Sequence, residues 1–209
     1  MELINVNVED VVLDINNSAI VTKPEQSEYI KLRKSIYIGN CQTNTQKKWI
    51  IENKELVYKD ILYNEGYFKI INEILDNSID EYLKTKGKFS TKIDVTIKSD
   101  GTIRIVDNGR GISSEKDEKT GKYQVELAFC DLHSGSNWDR NVSIGMNGVG
   151  SSVTNFLSDS FVVETCDGKY KTKLSCQKNC SLSKITRVKD NIRGTSVEFK
   201  IDTTQFEDI

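Results

Sequence analysis

Ile93-Asp94-Val95-Thr96-Ile97-Lys98 alternates apolar and polar residues, breaks at Asp100-Gly101, and resumes as Thr102-Ile103-Arg104-Ile105-Val106-Asp107. A period of two around an Asp-Gly break predicts a β-hairpin. Upstream, residues 67–84 carry Phe68, Ile71, Leu75, Ile79, Tyr82 and Leu83 at helical spacing, the clearest helix in the chain. Downstream, Phe161–Cys166 and Lys169–Ser175 predict a hairpin through Asp167-Gly168. Ile185–Val188 and Thr195–Ile201 predict two more strands, joined by Asn191-Ile192-Arg193-Gly194. Residues 46–63 predict a further hairpin turning at Glu52-Asn53-Lys54. Short helices are expected over 123–132 and from near Gly148 through Leu157, with a long polar loop over 133–147 between them. The strands come as hairpins and the β-α-β alternation of a doubly wound fold is absent. The expected class is α+β: a two-layer sandwich, a mostly antiparallel sheet with helices on one face.

The chain has 209 residues, 29 Lys+Arg against 31 Asp+Glu, and a formal net charge of −2. This length suits one large domain. The near-neutral charge argues against a dedicated DNA-binding domain, which is usually basic. Mean hydropathy is −0.47, ordinary for a soluble protein. No apolar run approaches the ~18 residues of a membrane-spanning helix. The acidic, alternating start MELINVNVED does not read as a signal peptide. We expect an N-terminal arm over 1–27 and the main domain over 28–209. Five cysteines have no framework spacing. Cys176 and Cys180 have no histidine near them in sequence, so a zinc site there lacks ligands. The cysteines read as reduced structural thiols of a cytosol-like compartment.

Four segments could carry chemistry. The first is Glu73-Ile74-Leu75-Asp76-Asn77-Ser78-Ile79-Asp80-Glu81. Glu73, Asn77, Asp80 and Lys84 share one helical face, opposite the apolar stripe. A solvated face is the ordinary explanation. Yet Asp76, Asn77 and Ser78 are poor formers in mid-helix. A carboxylate one turn from an amide oxygen could hold a water beside a hard cation such as Mg²⁺. The second is Asp107-Asn108-Gly109-Arg110-Gly111-Ile112. Asp107 shares strand parity with Ile103 and Ile105, so it stands at the core edge. There a carboxylate needs hydrogen-bond donors, which the amine of a base could supply. A cap over local amides explains it equally, and this segment alone favours the cap. The third is Gly145-Met146-Asn147-Gly148-Val149-Gly150-Ser151, a glycine-rich loop entering a helix, where backbone amides can bind phosphate. It is neither a Walker loop nor a dinucleotide fingerprint. The fourth is Gly194-Thr195 before the last strand, which alone is only a turn.

In this order and spacing, the four segments resemble the ATP-binding domain shared by gyrase B-type topoisomerases, the ninety-kilodalton heat-shock chaperone, sensor histidine kinases and MutL repair proteins. Within that superfamily the wording is similar to type II DNA topoisomerases. Arg33-Lys34-Ser35-Ile36-Tyr37-Ile38-Gly39 resembles their N-terminal signature, and Glu73–Glu81 resembles the gyrase B helix. The lid and the 46–63 hairpin resemble the large subunit of T-even phage topoisomerases most closely. Ser136-Asn137-Trp138-Asp139 resembles a ribose-contacting loop of the eukaryotic enzymes. The likeness covers about residues 28–202.

The resemblance implies ATP and Mg²⁺ as ligands. Glu73 becomes the general base for the attacking water, and Asn77 the Mg²⁺ ligand. Asp107 accepts the adenine amino hydrogen, directly or through a water that Thr195 supports. Asn108, Ser136 and Asn137 lie near the sugar and α-phosphate, and Ile112 lines the pocket. Gly145, Met146, Asn147, Gly148, Val149, Gly150 and Ser151 belong to the lid over the β- and γ-phosphates. Asp80 and Arg110 support the pocket from behind as partners of each other. Tyr37 packs near the site or supports dimerisation. His133, the sole histidine, fits a packed loop residue as well as a catalytic one.

Two positions depart from the family pattern. Ser113 stands where Pro is usual, and Asn137 stands where gyrase B has Lys. The resemblance also implies a transducer domain with a Gln-Thr-Lys loop, and no such motif precedes Ile209. We therefore expect an ATPase domain by itself that binds ATP well and hydrolyses it slowly. Self-dimerisation on ATP binding, capture of DNA by the full-length enzyme, contact with its other domains or subunits, and a cytoplasmic location (in an infected bacterium for a phage product) are further implications. The alternatives are a MutL-like repair ATPase or chaperone-type ATPase on the same fold, or a non-enzymatic binding module. The lid is not the Gly-Phe-Arg-Gly-Glu-Ala of MutL, and a decoy need not keep Glu73.

Overall fold

The computed structural model describes residues 25–132 and 148–207. The described residues begin with two short helices, α1 (Gln26–Leu32) and α2 (Lys34–Ile38), followed by a hairpin of β1 (Asn44–Glu52) and β2 (Glu55–Tyr63). The long helix α3 (Glu65–Lys84) leads to β3 (Ile93–Ile97) and β4 (Ile103–Asp107). Then come α4 (Gln124–Cys130), α5 (Gly150–Phe156), and the strands β5 (Ser158–Cys166), β6 (Tyr170–Gln177), β7 (Leu182–Lys189) and β8 (Gly194–Ile201). Among the described residues, six strands form one sheet in the order β3-β4-β8-β5-β6-β7. Every neighbouring pair in it is antiparallel. The α+β expectation holds. Among the described residues no helix is long and apolar enough to cross a membrane.

The registers align side chains into rows across the sheet. Ile103, Phe199, Phe161 and Cys176 form one row, and Ile105, Val197, Val163 and Leu174 the next. All eight are buried, and they make the sheet's share of the core. The third row is polar: Asp107, Thr195, Thr165 and Thr172. Residues two apart on a strand share a face, so this polar row continues the buried face at one end of the sheet. It is where a pocket can open.

Helix α3 departs from the expected orientation. Asn64 caps it, its Oδ1 accepting from the Tyr67 N–H at 3.0 Å, so the helix starts two residues earlier than predicted. Its buried ridge is Gly66, Ile70, Ile74 and Ser78, not the expected stripe. Phe68, Tyr82 and Leu83 are exposed. The apolar arc of this helix is wide enough to fit either orientation. Burial of Ser78 and Asp80 decides it, because the polar pocket lies beside the core ridge rather than opposite to it. Helix α1 begins inside the expected arm. Gln26 joins the domain by accepting the Leu132 N–H on Oε1 at 3.1 Å.

Candidate active site

Successive polar residues of α3 reach two different neighbours. Asn77 Nδ2 donates to Ser151 Oγ at 2.8 Å, at the start of α5. Ser78 Oγ donates to Asp107 Oδ2 at 2.8 Å, at the end of β4. Glu81 takes Arg110 in a two-pronged pair, Nε to Oε1 at 2.8 Å and Nη2 to Oε2 at 3.0 Å. Its Oε1 also accepts the Arg110 N–H at 3.0 Å. The expected Asp80–Arg110 partnership is therefore corrected: Glu81 is the partner. The helical step explains it, since residue 81 lies about 100° round the axis from residue 80.

Glu73 pairs with Lys69 one turn earlier, Nζ to Oε1 at 2.6 Å. Its other oxygen faces the first residue of α5. A Cβ on Gly150 would fall 1.7 Å from Glu73 Oε2, so glycine is what lets the carboxylate occupy this position against α5. This contact places the carboxylate against the segment that the sequence reads as a phosphate lid.

Asp107 is half-buried, and each of its oxygens already accepts one bond while keeping capacity for another. Its Oδ1 accepts the Gly109 N–H at 2.8 Å and its Oδ2 accepts from Ser78. Burial pushes its pKa above the usual carboxylate value, and the Ser78 and Gly109 hydrogen bonds pull part of that back. Partial burial works against the Glu81 carboxylate, but Arg110 holds its pKa below the usual value.

Thr165 is a site residue that sequence reasoning missed. Its Oγ1 accepts the Ile112 N–H at 2.8 Å and lies 3.1 Å from Thr195 Oγ1. It thus ties the Asp107–Ile112 loop to the sheet. Gly111 makes this possible: its φ is +75°, and a Cβ would strike the Cys166 carbonyl oxygen at 2.0 Å. Just past the end of β5, Asp167 accepts the Ser114 N–H at 2.9 Å and extends the anchoring past Ser113. Period-two parity with Phe161 and Val163 is the signal that could have found Thr165.

The described site therefore joins Glu73, Asn77 and Ser78 on α3, Asp107 and Ile112 near β4, Gly150 and Ser151 on α5, and Thr195 on β8. Gly148 and Val149 lead directly into α5, and Val149 is buried. Asn108 turns elsewhere: its Oδ1 accepts the Lys92 N–H at 2.9 Å and its Nδ2 donates to Thr91 Oγ1 at 3.0 Å. His133, Ser136, Asn137, Gly145, Met146 and Asn147 lie outside the described residues.

The donor set suits Mg²⁺. Ser151 engages the nitrogen of the Asn77 amide, which leaves its carbonyl oxygen as the hard ligand atom. Mg²⁺ takes few protein oxygens and completes its shell with phosphates and water.

Comparison with known proteins agrees with this geometry. A DNA topoisomerase 2 of Pisum sativum is 34% identical over 193 residues, covering 88% of this chain and 13% of that protein. The DNA topoisomerase large subunit of Enterobacteria phage T4 is 34% identical over 186 residues, covering 86% of this chain and 35% of that subunit. The chain thus spans a minor part of the length of either relative. The crystal structure of the ATPase region of Saccharomyces cerevisiae topoisomerase II superposes with a TM-score of 0.80 at 33% identity, over 89% of this chain and 52% of that one. The model of the histidine kinase-, DNA gyrase B-, and HSP90-like ATPases matches residues 64–205, which hold every described element of the pocket, and the chain belongs to that family.

Proposed function

We propose that this chain is the ATP-binding and hydrolysing part of a type II DNA topoisomerase. One observation carries the reading: α3 holds Glu73 against Gly150, Asn77 against Ser151 and Ser78 against Asp107. A base, a hard-cation ligand and a buried acceptor thus share one pocket. Likeness to the ATPase regions of type II topoisomerases supports the wider assignment.

Asp107 accepts the amino hydrogen of adenine, and Thr195 supports the contact from the adjacent strand. The loop entering α5 brings amides to the phosphates. Asn77 would hold Mg²⁺ through its amide oxygen, and the ion would supply positive charge against the phosphates. Glu73 orients the attacking water and takes its proton as the oxygen–phosphorus bond forms and the bond to the ADP oxygen breaks. Lys69 holds the other carboxylate oxygen and fixes the rotamer of Glu73. In the whole enzyme, ATP binding closes the lid and joins two N-terminal regions around a DNA segment, in the cytoplasm.

Steady-state ATP hydrolysis by the full chain tests the central role. Glu73→Gln should lower the rate by about 100-fold or more while binding of a non-hydrolysable ATP analogue persists. An unchanged rate would remove Glu73 from the chemistry.

A further inference from the structure

Away from this pocket, three of the five cysteines converge. Cys130 ends α4, Cys176 lies near the end of β6, and Cys180 follows in the β6–β7 turn. Their sulfurs lie within 4.8 Å of one another. Cys130 and Cys176 are 3.8 Å apart, and Cys176 and Cys180 are 3.7 Å apart. The expectation that no zinc site could form here counted only neighbours in sequence, and the fold adds Cys130. We propose that Cys130, Cys176 and Cys180 bind one thiophilic divalent cation of the Zn²⁺ class.

Distance supports the proposal first. Tetrahedral bonds of about 2.3 Å put zinc-bound sulfurs about 3.8 Å apart. Two edges of the triangle already have that length. The second support is Asn155, which is fully buried. Its Nδ2 donates to the Phe129 carbonyl oxygen at 2.9 Å and lies 3.5 Å from Cys176 Sγ and 3.6 Å from Cys130 Sγ. An amide donor facing two sulfurs favours thiolate over thiol, as outer partners of metal ligands do. Turning the amide to accept from S–H instead would forfeit the Phe129 bond.

The third support is the turn. Lys178, Asn179 and Cys180 all have left-handed backbones, with φ of 50°, 56° and 68°. None is glycine, so this conformation must be held from outside. Lys178 N–H donates to the Asp159 carbonyl at 2.9 Å, Asn179 N–H donates to that of Ser158 at 3.1 Å, and Asn179 Nδ2 donates to Asp202 Oδ2 at 3.2 Å. The pinned turn carries Cys180 back to Cys176.

Access is open. Cys130 and Cys180 line a surface cleft with Gln26, Glu126, Asp131 and Phe156. On binding, each thiol releases its proton to solvent, three sulfur–metal bonds form, and water from the cleft fills the fourth position. No electron is transferred. Binding therefore strengthens as pH rises. Cys176 sits two rows along the sheet from Thr172, at the end away from Asp107, so the site is separate from the nucleotide pocket.

Titration of the reduced full chain with Co²⁺ tests this. One equivalent should bind with a thiolate-to-cobalt charge-transfer band, and Zn²⁺ should displace it. Bound metal should protect Cys130 and Cys180, the two that line the cleft, from alkylation while Cys41 keeps its metal-free reactivity. Cys176→Ser should weaken binding by more than the ~10–100-fold typical of losing an outer partner, and Cys41→Ser should change nothing. Absence of the band, or a protection map that omits Cys130 and Cys180, would overturn the proposal. The map needs no variant, so it decides even if Cys176→Ser fails to fold.

Discussion

Ser78 donates its hydroxyl to Asp107 Oδ2 at 2.8 Å, joining the middle of α3 to the last residue of β4. Ser78 is buried and Asp107 half-buried, so the bond fixes the depth of the helix on the polar end of the sheet. It also orients the carboxylate, whose other oxygen is taken by the Gly109 N–H.

Replacing Ser78 with alanine should leave that oxygen short of a donor. A hydrogen bond to a charged group contributes roughly 1.5–3 kcal/mol. Urea unfolding of Ser78→Ala should show a loss of about that size at neutral pH. The same variant should bind an ATP analogue more weakly, because the acceptor is no longer oriented. Unchanged unfolding and binding would mean that Ser78 is dispensable to the pocket.

The raised pKa of Asp107 gives nucleotide binding an acid limit. The charged carboxylate is the better acceptor, so analogue affinity should fall as pH drops through its folded-state pKa, above the ordinary ~3.9 of aspartate. Stability runs the other way. The contribution of Asp107 to folding is fullest below its unfolded pKa and is lost as pH rises through the folded one. Asp107→Asn should flatten both dependences, which calorimetric binding and denaturant melts across a pH series can follow.

Gly150 admits Glu73 Oε2 where a methyl group would sit. In Gly150→Ala the carboxylate must swing aside, which a side chain of this length can do. Alanine also favours helix over glycine by ~1 kcal/mol. The variant should therefore melt within about 1 kcal/mol of the parent yet lose hydrolysis by about 100-fold or more. Full activity would show that Glu73 need not occupy that position.

The sheet was legible because period two and Asp-Gly turns are local signals. Ile103, Ile105 and Asp107 stand on one face, as their alternation implies. Orientation of α3 was not legible. Ile70, Ile71, Ile74, Leu75 and Ile79 cover so wide an arc that spacing could not choose the buried ridge. Glu81 as partner of Arg110, Thr165 beneath Ile112, and Cys130 beside Cys176 all depend on contacts between segments far apart in the chain. Helices α1 and α2 were missed because each is too short to show a periodicity.

The central claim is that Asp107 anchors ATP in the pocket between α3 and the sheet. Calorimetric titration of the full chain with a non-hydrolysable ATP analogue and Mg²⁺ tests it most directly, with Asp107→Asn measured beside the parent. The account predicts one site in the parent and, in a variant that stays folded, an affinity lower by about 10-fold or more, the cost of a lost hydrogen bond to a charged acceptor. Equal affinity in the two proteins would contradict it.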